Sequence, residues 1–251
     1  MARVEQIDLN QRRSLGGILV ATASLYRSFP LLFALLALAV MAPYELAVLA
    51  ITGYGPLRHA HEPAGIHWLL LLARASLITP LVSALHMQAV VAIGEGKRPR
   101  LGSVALSGVR VLPVVAAAEI MATIGITLGF IAFIIPGVFL TLRWAVVAQA
   151  ASLEHEGWLA ALRSSQHLTA THYRLVFALV LLVDLVAAAV HFGARLLPLG
   201  STSGAVSVAV GIGIDTLIAS LSALTLAVLY FDLRAYSDAA RSTERMPRAR
   251  V

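Results

Sequence analysis

Six long apolar runs alternate with short polar segments along this chain: Phe29 to Ile51, Ile66 to Ile93, Val111 to Ile134, Gly137 to Leu153, Tyr173 to Phe192 and Ala205 to Tyr230. A helix needs about 20 apolar residues to cross a ~30 Å hydrocarbon core, so every run is long enough, the fourth barely. Backbone groups in lipid must be satisfied inside the segment, and the strict two-residue alternation of a barrel strand is absent. The pattern therefore predicts an all-α polytopic membrane protein with six transmembrane helices, over about 29–51, 66–93, 111–134, 137–153, 173–192 and 205–230. Residues 1–236 form one transmembrane domain in this reading, and 237–251 a flexible, basic cytoplasmic tail. The short connection Ile135-Pro136-Gly137 predicts a tight antiparallel hairpin of the third and fourth spans, and Pro43 and Pro80 predict kinks.

A second pattern precedes the first span. Leu15, Ile18, Leu19, Thr22, Leu25 and Phe29 recur at helical spacing, with Arg12, Arg13, Ser24, Arg27 and Ser28 on the other side, which describes an interfacial amphipathic helix. Leu101 to Leu112 repeats it with Val104, Ala105, Gly108 and Val109, and Trp158 to Tyr173 repeats it more loosely with Leu159 and Leu162. Each precedes a pair of spans, so the sequence reads as a threefold repeat of amphipathic helix plus hairpin, with Arg27, Arg110 and Arg174 just ahead of spans one, three and five. Three unrelated linkers would be the plainer alternative.

Composition agrees with a lipid-solvated fold: 59% of the residues are hydrophobic and 13% charged, and the mean hydropathy is +0.85. The net charge of +6 sits in short segments without interleaved aromatics, which points to anionic headgroups and away from nucleic acid. The absence of cysteine excludes disulfides, a thiolate nucleophile and Cys-type metal sites. Four arginines within the first 28 residues precede a run of about 23 apolar residues, too long for a usual signal peptide, so the run is read as a retained span. Fifteen of the 19 Lys and Arg fall in the termini and in the segments after spans two and four. Only Arg58 and Arg195 fall in the opposite loops, and Arg74 and Arg143 lie within spans. The positive-inside rule then places both termini in the cytoplasm, in a cell (inner) membrane.

Ionisable residues inside spans are the sharpest chemical clue, since each costs roughly 2.5–3.5 kcal/mol or more at the bilayer centre unless paired or hydrated. They are Glu45, Arg74, His86, Glu119, Arg143, Asp184, His191 and Asp215. Counted from the span ends, Glu45 and Arg74 share an outer depth, His86 and Glu119 an inner one, and Arg143, Asp184 and Asp215 the middle. Opposite charges at matching depth predict either a polar cavity for substrate or protons, or ion pairs that fix packing. Glu45 and Arg74, on neighbouring spans, are expected to pair. Asp184 and Asp215 raise a third reading, an intramembrane aspartyl protease. Gly211-x-Gly213-x-Asp215 departs by one residue from the glycine-glycine-aspartate motif of such enzymes, and Val183 stands where they have tyrosine. Gly125-x-x-x-Gly129 reads as a seat for a neighbouring helix. His59, His61, Glu62 and His67 fit no strong zinc spacing, and His155, His167 and His172 share no helical face, so no metal or cofactor is expected.

Ile135-Pro136-Gly137 with Leu142-Arg143-Trp144, then Glu154, Ala161-Leu162, Ser164 and Leu168, then Tyr230-Phe231-Asp232-Leu233-Arg234 give the chain a family likeness. From about Leu15 to Arg234 it resembles the membrane domain attached to some bacterial glycerophosphodiester phosphodiesterases, six-span proteins mostly without an assigned activity. In that family catalysis belongs to a separate soluble barrel, so the resemblance implies a membrane module and not a phosphodiesterase. Tyr230, Asp232 and Arg234 combine an aromatic anchor with an acid and a base at the end of the last span, an interface motif, and the resemblance implies a functional role for them. The expectation is a non-enzymatic protein that handles a lipid or amphiphile, or moves a solute, through its polar spans. A scaffold or regulator of a partner enzyme is the alternative. Membrane lipids with anionic headgroups are the expected partners, with a partner protein or a second copy of the chain beside them.

Overall fold

A computed structural model describes residues 11–57, 64–154, 157–196 and 204–245. The described chain is helical, without strands, and six of its helices are long and apolar enough to cross a membrane. Large apolar side chains such as Leu31, Ile51, Trp68, Ile131, Ile135 and Phe192 stand exposed around the bundle, as a lipid-facing surface requires. The protein is a multi-pass membrane protein.

Helix α1 (Leu15–Ser28) is the first amphipathic segment. Ser14 caps it, its hydroxyl accepting from the Gly17 amide at 3.3 Å, and Ile18, Thr22 and Leu25 are its buried stripe. The helix stops at Phe29 because Pro30 follows, and that proline serves as the first residue of α2 (Pro30–Thr52), where it needs no hydrogen-bonded N–H. Gly53 ends α2 in the left-handed conformation, φ 76°. The second span comprises α3 (Ala64–Ala73), a wide π-helical turn over Arg74–Ile78, and α4 (Thr79–Gly94). Pro80, which would clash with the carbonyl of an ordinary preceding turn, is the second residue after that π turn.

The second amphipathic segment is not a separate helix. Residues 101–112 run straight into the third span as α5 (Leu101–Ala132), continuous through Pro113, where a break would expose backbone groups to lipid. The hairpin after α5 turns on one extended residue, Phe133, rather than at Ile135-Pro136-Gly137, which belong to the first turn of α6 (Ile134–Arg143). Proline in a first helical turn gives up nothing, so this proline starts the fourth span instead of separating it from the third. The span then breaks at Trp144–Val146 and resumes as α7 (Val147–Leu153). Helix α8 (Trp158–Thr169) is the third amphipathic segment, and α9 (Tyr173–Leu196) and α10 (Gly204–Arg245) complete the bundle. Helix α10 continues beyond residue 236, where the sequence placed the start of a tail; residues 246–251 of that tail lie outside the described residues.

Helices α2, α5 and α9 end, and α3, α6 and α10 begin, at one end of the bundle, here the hairpin end, and α1 and α8 lie at the other. Helix α10 is the axis, touching α1, α2, α4, α7, α8 and α9, and 56% of its most apolar stretch is buried, against 11% for α9. The Gly125–Gly129 face seats α6: a Cβ at Gly129 would lie 3.0 Å from the Gly137 Cα, and one at Gly125 would lie 2.6 Å from the Trp144 ring.

Candidate functional site

Glu45, Arg74, Asp215 and His191 form one connected polar cluster, drawn from α2, the π turn, α10 and α9. Arg74 Nη1 is 3.3 Å from Glu45 Oε1, the pairing expected from adjacent spans, and Nη2 is 3.6 Å from Asp215 Oδ1. That same Asp215 oxygen is 2.7 Å from His191 Nε2. Glu45 and Asp215 are buried, at 0% and 2% exposure, while Arg74 and His191 reach the bundle surface at 27% and 33%. At 1.5 Å of rise per residue the four lie roughly 7–17 Å in from the ends of their helices at the hairpin end. Asp215, placed at mid-membrane by counting, thus joins the Glu45–Arg74 pair.

The hydrogen bonds around His191 define a proton. Its Nδ1 lies 2.8 Å from the Ala187 carbonyl, which can only accept, so Nδ1 carries hydrogen. Nε2 and Asp215 Oδ1 at 2.7 Å then require a second hydrogen between them, held as imidazolium and carboxylate or as imidazole and carboxylic acid. Either assignment leaves the histidine–aspartate pair neutral, with Arg74 balancing Glu45. Asp215 Oδ2 is buried and has no hydrogen-bond partner among the described residues. Thr216 Oγ1, on the next residue, is also buried and unpaired among them.

The remaining intramembrane candidates are not brought into this cluster. His86 does not pair with Glu119: its Nδ1 is 2.8 Å from the Val82 carbonyl, its Nε2 2.9 Å from Ser220 Oγ, and its ring stacks on Phe33. Ser220 Oγ donates in turn to the Phe33 carbonyl at 3.3 Å, so the set ties α4, α10 and α2 together in a packing role. Glu119, half-buried on α5, has no polar partner among the described residues. Arg143 reaches neither aspartate. Its guanidinium lies 5.2 Å from the centre of the Phe139 ring and against the Gln166 side chain. Its carbonyl, left without a helical partner by the break after α6, accepts from Ser165 and Thr169 of α8 at 3.0 and 3.2 Å. Asp184 is exposed on α9, and no hydrogen bond joins it to Asp215 or to any other described residue. Of the loop histidines, His59 and His61, with Glu62, lie outside the described residues, as does His155.

The Tyr230–Arg234 motif forms two separate attachments at the α1 and α8 end. Asp232, fully buried, accepts from the Arg13 backbone amide at 2.6 Å and from its guanidinium at 2.7 Å, tying the start of α1 to α10. Arg12 adds a cation–π contact with Tyr236 at 5.4 Å. Tyr230 donates to Glu154 Oε1 at 3.2 Å, an oxygen that also accepts from Ser164 at 2.6 Å. Between α8 and α10, beside these groups, opens a polar cavity of about 550 Å³. Sequence reading compared His167 only with His155 and His172 and did not connect it with Arg163, although their spacing of four puts the two on one helical face of the cavity wall.

Compared with known protein families, curated proteins and solved structures, the chain has no match.

Proposed function

We propose that this is a non-enzymatic membrane protein of the cell (inner) membrane that moves an amphiphile, with the Glu45–Arg74–Asp215–His191 cluster as its working site. The carrying observation is the 2.7 Å contact of His191 with Asp215 beside an arginine that touches both Asp215 and Glu45. A cluster built only to hold helices would be closed on all sides, whereas here Arg74 and His191 reach the bundle surface beside the loosely packed α9. A polar headgroup can meet them there while its chain stays in lipid, and its charge can exchange for the shared proton. The bias of fifteen basic residues against two supports cytoplasmic termini, which puts the cluster in the outer half of the bilayer and α1 and α8 beside the anionic inner leaflet. The test is translocation of fluorescent phospholipid in liposomes holding the purified protein, with and without an imposed pH gradient. Activity that falls at least tenfold in Asp215→Asn and in Arg74→Met, and persists in Asp184→Asn, is the expected result. No activity, or equal activity in all three variants, would refute the reading.

Asp184 favours a second reading, a scaffold for a partner. An aspartate on the exposed face of the least buried span is costly in lipid, and a partner helix carrying a hydrogen-bond donor or cation would relieve that cost. Site-specific crosslinking from Leu185 in cells tests it: a crosslinked protein lost in Asp184→Leu supports a scaffold, and crosslinks to lipid alone oppose it.

A further inference from the structure

We infer that the cavity between α8 and α10 is a separate site for a phosphate ester whose other arm carries an ammonium or hydroxyl group. The cavity, about 550 Å³, lies within the size range of small-molecule sites and sits at the α1 and α8 end, remote from the Asp215 cluster. Arg163, His167 and Arg234 line it together with the Tyr230 hydroxyl and two carboxylates, those of Glu154 and Asp238. Arg163 and His167 stand one helical turn apart on α8, and Arg234 faces them from α10, so the two guanidinium groups come from two walls. Arg163 has no ion pair or hydrogen bond to any described residue, and its guanidinium is available for the two parallel bonds that phosphate accepts. Glu154 supplies the opposite end. Ser164 and Tyr230 both donate to its Oε1, which fixes the carboxylate and leaves Oε2 for a cationic or hydroxyl arm. The walls thus carry both signs, a pattern for a zwitterionic or hydroxylated phosphate ester rather than for bare inorganic phosphate.

The reading is independent of the proposed amphiphile site, because no residue is shared. Native mass spectrometry of the detergent-purified chain, offered equal amounts of phosphatidylethanolamine, phosphatidylglycerol and phosphatidylcholine, measures retained lipid. Titration with soluble phosphoethanolamine and with inorganic phosphate measures headgroup binding. Retention of phosphatidylethanolamine or phosphatidylglycerol is expected to drop at least tenfold in Arg163→Gln with Arg234→Gln, but not in Arg98→Gln with Arg100→Gln, which removes equal charge from an exposed loop. Competition by soluble phosphoethanolamine identifies the headgroup as sufficient; binding of lipid alone identifies a bilayer source, and either supports the site. Arg163→Lys with Arg234→Lys keeps the charge and guards against misfolding, and is expected to bind with intermediate strength. Equal losses in both glutamine pairs, or binding unchanged by the cavity pair, or no retention of any probe by the native chain, would overturn the inference.

Discussion

Replacing Arg74 by methionine keeps most of the side-chain volume and removes the cation from two buried carboxylates. At an effective dielectric of about 20, charges at the observed 3.3 Å attract by about 5 kcal/mol, and Asp215 at 3.6 Å adds a similar attraction when the proton it shares rests on His191; most of this offsets the desolvation of the carboxylates. Breaking a buried pair costs about 3–5 kcal/mol, and Arg74 is 27% exposed, so the expected loss of stability is about 2–4 kcal/mol. Glu45→Gln keeps an acceptor for Arg74 and should cost less, about 1–2 kcal/mol. In the double variant neither charge is left facing the other, so its loss should fall short of the sum by more than about 1 kcal/mol. Unfolding by SDS titration in mixed micelles, followed by circular dichroism, supplies the four free energies of this cycle. Additivity within about 0.5 kcal/mol would refute the claim that Glu45 and Arg74 interact.

Asp232→Asn should release the start of α1, costing about 2–3 kcal/mol and raising amide exchange over residues 11–20, while Arg13→Lys, which keeps the backbone bond, should cost less. Unchanged exchange in Asp232→Asn would contradict the attachment. Gly129→Leu should destabilise the chain by about 1–3 kcal/mol or more, because Gly137 and Leu140 leave no room for a side chain there, whereas Gly102→Leu, where a Cβ meets nothing within 4 Å, should not; similar unfolding curves for the two would oppose this. His172, between α8 and α9 and against Tyr236, should titrate below the ordinary histidine value of 6.5, because partial burial disfavours its charged form. The folded state then binds its proton less readily than the unfolded one, so the contribution is present above 6.5 and lost as pH falls below it. An NMR titration in nanodiscs that places His172 at or above 6.5 would contradict this.

The number and type of spans were legible in the sequence because length and apolarity set them: a helix that crosses a hydrocarbon layer must be about that long and that apolar wherever its neighbours lie. The Glu45–Arg74 pair was legible for a similar reason, since a short connection makes two spans neighbours and depth alone then brings their charges together. The rest of the cluster depended on rotation about the helix axis, which depth does not specify. Asp215 and Asp184 look equivalent when counted along the chain, yet one points into the bundle beside Arg74 and the other outward on α9. The π turn at Arg74–Ile78 and the break after Arg143 shift the helical register in ways that a uniform 3.6-residue period does not anticipate. Arg143 illustrates the consequence: its sequence depth matched the aspartates, but the break leaves it beside α8, where Ser165 and Thr169 accommodate the freed carbonyl. Arg13 and Asp232 lie 219 residues apart, and only the packing of α1 against α10 joins them. Hydropathy along the chain determined that it crosses the membrane and in how many spans, and side-chain direction, decided by helices packing against one another, determined which charges meet.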